Sequence, residues 1–475
     1  LRNETIEQQR NAVHNFRLAL KGSAVCAPIL LISHREPRTP LQLEDAIKKL
    51  QLDGEWTKLM RWSVTHICDE SDLACGDDMI GRRSGQEAKL NRLLTVLIAK
   101  CENGFGEELI EQGILSILFD LCTRFAACNR DLFISAMKLL ANIVMQSEKC
   151  SMAVAESGTR DLIIEMLTLI LEWLQRLAAM VSMNSLEENL LAEKVCLNAI
   201  SVLTKSDVRF ETDVYQLYRS DDVNQEPVVD LIFVHGLRGG VFRTWRAKDD
   251  PNDLLRTRCW PRSWLPYDLH KPIRILALDY PSSISNIRRG SVETLSERSS
   301  RFRKQLKAAG VGRRPIVFVG HSMGGLLVKR LMVDDEEMLR QTIGVMFIAT
   351  PHRGSPLARY ALRFAIRPTD DVLLLSLQNE TNKKLHEDFL RICPSIAVIC
   401  SMAETEDSPL ILRQRGILVP SESAFFERGP LYHIRDVIYF QIHYNICKPS
   451  GPNDKAYGVI LQFLHDVMYH LSRKC

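Results

Sequence analysis

Near its middle the sequence changes pattern, and that change limits the folds open to it. Before about Thr204 it is leucine-rich and helix-periodic, with almost no β-branched alternation; after Pro227 short apolar runs alternate with helical stretches. This separates a helical region, 1–205, from an alternating region, 227–475, with 206–226 as a linker. Each apolar run of the second region ends in turn-forming residues: 228–234 in His235-Gly236-Leu237-Arg238-Gly239-Gly240, 274–278 in Asp279-Tyr280-Pro281, and 316–319 in Gly320-His321-Ser322-Met323-Gly324-Gly325. Later, 343–349 runs into Thr350-Pro351-His352, 396–400 into Ser401-Met402-Ala403-Glu404, and 437–442 into His443. Short apolar strands separated by helices predict a mostly parallel sheet covered on both faces, with reactive groups gathered at the carboxyl ends of the strands.

The first region predicts no chemistry but a contact surface. Leu93-Leu94-Thr95-Val96-Leu97-Ile98 recurs in character at Leu139-Leu140-Ala141-Asn142-Ile143-Val144, and Glu111-Gln112-Gly113 at Glu156-Ser157-Gly158, offsets of 46 and 45 residues. Two landmarks sharing one period, within the roughly 40–47 residues of armadillo and HEAT units, predict stacked helical repeats, closed by a further helix over 185–203. Such a stack offers a surface for a protein partner. Helical pieces at 4–21 and 41–50 precede it, with a polar stretch at 68–86.

Composition narrows the partners. With 61 Lys+Arg against 58 Asp+Glu, the formal charge of +3 gives no electrostatic reason to expect nucleic acid. The 13 cysteines are odd in number and form neither a C-x-x-C pair nor a cluster at zinc spacing, which fits reduced thiols in an intracellular compartment and implies no metal. No apolar run reaches the ~18 residues of a spanning helix. The nearest, 161–183, is interrupted by Glu165, Glu172, Gln175 and Arg176 and reads as a core helix. The sequence opens on Leu1 and not Met, which leaves open whether a targeting or anchoring segment precedes it.

Chemistry enters at Gly320-His321-Ser322-Met323-Gly324, a G-x-S-x-G pattern set between a buried strand and a helix opening at Leu326-Leu327-Val328. The flanking glycines leave room for a strained strand-to-helix turn that holds the Ser322 hydroxyl over the sheet edge. A hydroxyl is a weak nucleophile until a histidine takes its proton and an acid orients that histidine, in the chain order serine, acid, histidine. His443, directly after the last expected strand, is the candidate base; His352, His386, His433, His465 and His470 lie elsewhere in the pattern. Glu404, after the strand expected at 396–400, is the preferred acid, ahead of Glu406, Asp407 and Glu422, with Asp279 disfavoured by chain order. The oxyanion would be met by main-chain N–H groups of Met323 and of the turn through Gly236 and Leu237, while the His235 side chain reads as structural. No metal or organic cofactor is implied.

Phe233-Val234-His235-Gly236-Leu237, Phe242-Arg243-Thr244-Trp245, Cys259-Trp260-Pro261-Arg262-Ser263-Trp264-Leu265, the stretch 320–327 and Asn445-Ile446-Cys447-Lys448-Pro449 together resemble the serine-active-site-containing protein family, lipase-like α/β-hydrolases with helical repeats ahead of the catalytic domain. The resemblance implies an α/β-hydrolase domain and supports Ser322 and His443. It also implies phospholipid remodelling, with phosphatidylglycerol as substrate class, at contact zones between mitochondria and endoplasmic reticulum, and a link to cholesterol trafficking. Relatives carry E-T-L-P-T after the strand of the acid; this chain has Glu404-Thr405 followed by Glu406-Asp407-Ser408, and its 419–424 segment also matches, so Glu404 and Glu422 both stay open. Arg298, Arg301, Arg303, Lys304 and Lys307 could meet anionic headgroups, or form a solvated face. The apolar stretches 360–366 and 372–375 could meet acyl chains, or pack as ordinary helices. The expected protein is thus a serine esterase or acyltransferase on glycerophospholipid esters, peripheral at a membrane surface; the alternative is an inactive lipid-binding or docking scaffold.

Overall fold

A computed structural model of the protein describes residues 90–91, 93–102, 104–125, 129–156, 186–203, 205–220, 226–246, 259–282, 293–356, 369–404, 408–409, 415–434, 443 and 445–473. The expected helices at 4–21, 41–50 and 161–183, the polar stretch 68–86, the apolar stretch 360–366, the strand at 437–442 and the acids Glu406 and Asp407 lie outside the described residues. The chain divides into two compact units, one helical and one α/β.

In the helical unit, residues 93–102 are helical, followed by α1 (Gly106–Glu111), α2 (Ile114–Phe125), α3 (Arg130–Val144) and α4 (Glu148–Glu156), and α5 (Leu186–Leu203) belongs to it from Leu191 on. Asn129 starts α3 by accepting the Leu132 N–H on its side chain at 3.2 Å, and Asp131 in the first turn suits the positive end of the helix. α3 then buries Leu132, Phe133, Met137, Leu140 and Val144. Both leucine-rich segments are buried: Leu93, Leu94, Val96 and Leu97 on the helix over 93–102, and Leu139, Leu140, Ile143 and Val144 on α3. Glu111 and Glu156 end α1 and α4, the helices that follow.

The α/β unit is built on a seven-stranded sheet of β1 (Val214–Arg219), β2 (Val229–Val234), β3 (Ile273–Leu278), β4 (Ile316–His321), β5 (Thr342–Ile348), β6 (Val398–Glu404) and β7 (Leu431–Ile434), in the spatial order β1-β3-β2-β4-β5-β6-β7. β1 runs antiparallel to β3, and every other pairing is parallel. β2, β3, β4 and β5 are buried at every position, as a sheet covered on both faces requires. On one face pack α6 (Leu295–Ala308), α7 (Met323–Asp334) and α8 (Glu380–Ile392); α9 (Lys455–Ser472) covers β5 and β6. Strand alternation sets the sides: Phe347 meets the Phe389 ring of α8, whereas Gly344, an odd number of residues away, lies under Val467 and Phe463 of α9.

Three expectations change. The linker assigned to 206–226 contains β1, whose alternating Val214, Tyr215 and Leu217 are buried against β3 at the sheet edge. The strand expected to stop at Cys400 continues through Glu404, because Ser401–Glu404 pairs with Leu431–Ile434, a strand that contains His433 and was not expected. Of the basic residues of α6, Arg298 and Arg301 are drawn into ion pairs, while Lys304 and Lys307 stay exposed. Arg298 pairs with Asp371 at 3.0 Å and Glu293 at 3.3 Å, Arg301 with Glu293 and Asp213, and Lys307 lies 3.6 Å from Glu337.

Candidate active site

The strand order reverses direction about β2 and β4, and the crevice beyond their carboxyl ends is where α/β sheets gather ligands. Ser322 stands there, between the last residue of β4 and the first of α7, with φ 53° and ψ −126°. A serine at positive φ is strained and persists only if its surroundings hold it. They do: the Ser322 N–H donates to the Ile348 carbonyl at 2.8 Å, and the Gly325 N–H donates to the Ser322 carbonyl at 3.0 Å. Side chains are excluded around the turn. A Cβ on Gly320 would lie 2.7 Å from the Gly325 Cα, and one on Gly324 would run into the Val234 and His235 carbonyls.

The structure brings His443 and Glu404 to this serine. His443 Nε2 lies 2.9 Å from Ser322 Oγ, and Glu404 Oε1 lies 3.6 Å from His443 Nδ1. Glu404 ends β6 with no exposed surface and also accepts the Val419 N–H. Glu422 is exposed in the short helix Ser421–Ala424, where its main-chain carbonyl accepts from Arg353. Asp279 lies beyond β3, where it accepts the Val241 N–H at 3.1 Å. His352 is fully buried beside Phe347 and Phe426, and His386 faces Lys329.

The turn after β2 closes over the serine from the other side. The Gly239 N–H donates to the Gly236 carbonyl at 3.0 Å, and a Cβ on Gly236 would lie 2.6 Å from the Ser322 Cβ. The main chain of Gly236 therefore approaches Ser322 as only glycine permits. The Met323 N–H opens α7, where a helix has no carbonyl four residues back to accept it. His235 is structural: its Nε2 accepts the Tyr280 N–H at 3.2 Å, its Nδ1 donates to the Gly236 carbonyl at 2.8 Å, and its ring stacks on Tyr280 at 4.1 Å. Because the Tyr280 N–H can only donate and the carbonyl only accept, these partners choose the tautomer.

Two contributors escaped the sequence reading. Trp260, from one of the resembling segments, donates its Nε1–H to the Cys447 carbonyl at 2.9 Å and so ties down the turn that follows His443. His321, the variable position before the serine, contacts His443 directly. A donor inside a motif is visible as a residue, but its partner 122 positions away is not. Among the described residues, no group of three or more His, Cys, Asp or Glu could hold a metal ion, and no helix is long and apolar enough to cross a membrane.

Residues 231–416, within the α/β unit, match the family model of the alpha/beta hydrolase family. Among curated proteins, the chain is 34% identical to Protein SERAC1 of Bos taurus over 281 residues, covering 55% of this chain and 42% of that protein. It is 32% identical to Protein SERAC1 of Danio rerio over 321 residues, covering 62% and 47%. The chain thus spans less than half the length of these relatives. Among solved structures it is similar to the mature Bacillus licheniformis lipase BlEst2, at 15% identity and a TM-score of 0.36, covering 51% of this chain and 97% of that one.

Proposed function

We propose that the α/β unit is a serine esterase or acyltransferase acting on glycerophospholipid acyl esters. The observation that carries this is the 2.9 Å approach of His443 Nε2 to a serine hydroxyl held at positive φ over the sheet edge. Ser322 attacks the ester carbonyl while His443 takes its proton; Glu404 orients the imidazole and stabilises the imidazolium. N–H groups of Met323 and of the Gly236–Leu237 turn receive the oxyanion, helped by the positive end of α7. The leaving alcohol takes the proton from His443. Water then gives hydrolysis, and a lysolipid hydroxyl gives transacylation, through the same groups in reverse.

The family resemblance supports phosphatidylglycerol as the first ester to try, on a membrane surface where mitochondria meet the endoplasmic reticulum. Leu373 and Leu377, 39% and 54% exposed, supply apolar surface for peripheral contact with lipid. The burial of 93–102 and α3 supports reading the helical unit as an armadillo-like stack that docks a protein partner.

A fluorophosphonate probe tests the enzyme reading. Wild type should be labelled, Ser322→Ala should not, and His443→Ala should retain only a slow residual rate; a folded but unlabelled wild type would leave the scaffold alternative. Purified protein on vesicles of defined phosphatidylglycerol, with and without lysolipid, then separates hydrolysis from transacylation.

A further inference from the structure

His321 carries a geometry that the reaction outlined above does not use. It is 3% exposed, and its Nε2 lies 3.0 Å from the main-chain carbonyl oxygen of His443. A carbonyl only accepts, so the proton sits on Nε2 and Nδ1 keeps a bare lone pair. That nitrogen points toward the turn after β2, 3.2 Å from where a Cβ on Gly236 would stand. The His321 and His443 rings lie 5.0 Å apart at 40°. Burial, and then the adjacent His443, hold the His321 ring well below the ordinary histidine range, so it remains a donor of one fixed kind while His443 gains and loses its proton.

We propose that His321 is a positioning residue for the catalytic base: its Nε2–H grips the His443 carbonyl and sets the place from which the His443 imidazole meets Ser322. His443 lies in a turn. The same turn is gripped further on, where Trp260 donates to the Cys447 carbonyl. His321 therefore joins three parts of the site: the nucleophile next to it in sequence, the main chain of the base, and the turn that supplies oxyanion donors. An apolar side chain of equal size would fill the space and lose the grip. Misplacement of a reacting group by about 1 Å can cost on the order of 10²-fold in rate, which sets the size of the expected effect.

The inference rests on the serine-hydrolase reading, and one experiment separates the two. Fluorophosphonate labelling of the full chain yields a maximal rate and an apparent affinity for wild type, His321→Leu and His321→Gln, whose amide can reach the same carbonyl. The Leu variant should lose about 10²-fold in maximal rate with affinity within about twofold, and the Gln variant should recover to within about fivefold of wild type. In a His443→Ala background, His321→Leu should change the residual rate by less than about twofold, because the histidine acts only through the base. Thermal unfolding and circular dichroism check that each variant is folded; if Leu is not, His321→Asn, whose amide stops short of the carbonyl, replaces it. A folded variant without the donor that labels at the wild-type rate overturns the proposal, as does equal loss in the Gln and Leu variants, or an undiminished loss without His443. An unlabelled wild type sinks the serine-hydrolase reading instead.

Discussion

Glu404 and Glu422 are the same side chain in different surroundings. A carboxylate taken out of water is costly unless donors or positive charge face it. Glu404 accepts the Val419 N–H and faces the His443 imidazole, whereas Glu422 is exposed. Glu404→Gln should therefore lower the labelling rate by about 10²–10⁴-fold, the loss expected when a base keeps its place but loses its orienting charge, and Glu422→Gln should stay within about twofold. The reverse result, read with the same probe, would reassign the acid. Gly236→Ala tests the opposite wall: its methyl would enter the Ser322 Cβ, and labelling should fall at least tenfold with the fold retained. At this scale the serine was legible, because G-x-S-x-G answers a local steric demand. The acid was legible only as a preference for Glu404 over Glu422, because burial decides between them and the two glutamates look alike along the chain.

Between elements, one charged pair closes the middle of the sheet. Asp230 and Arg274 face each other across β2 and β3, and their side chains meet in two bonds of 2.7 Å with essentially no exposure. Arg274 also donates to the Ala309 carbonyl at 2.7 Å, beyond the end of α6. Removing one partner leaves the other charged and dry, so Asp230→Ala should cost about 3–5 kcal/mol, measured by urea unfolding. Most strands were legible from apolar runs ending in turns. β1 was not, because its alternation at a sheet edge, between polar flanks, looks like a linker until β3 pairs with it. The second half of β6 exists because β7 lies beside it, and Arg298 and Arg301 of α6 are taken up by Glu293 just ahead of the helix and by Asp371 and Asp213, which folding brings from elsewhere.

Over the whole α/β unit, buried bases bias stability against acid. Lys329, fully buried near the rings of Phe347, Phe389 and Phe426, lies 2.9 Å from His386 Nδ1, and His386 Nε2 lies 3.3 Å from Glu427, which also pairs with Arg353. Burial, then Lys329, lowers His386 to about 4, against the pull of Glu427; burial also depresses His352, beside Lys329, His386 and Arg353. The unfolded chain, with histidines near 6.5, binds these protons first, so the stabilisation is present above about pH 6.5 and lost as pH falls toward 4. The midpoint of thermal unfolding should drop across that window, and His386→Gln should flatten the drop by an amount equivalent to about 2 kcal/mol. What the sequence by itself determined is whatever depends on near neighbours: the alternation of strand and helix, the glycine-flanked turn, the serine on it. Only the tertiary structure decided which acid is buried, which histidine grips the base and which cations are already paired, because those outcomes turn on desolvation and on distances between residues up to 122 positions apart.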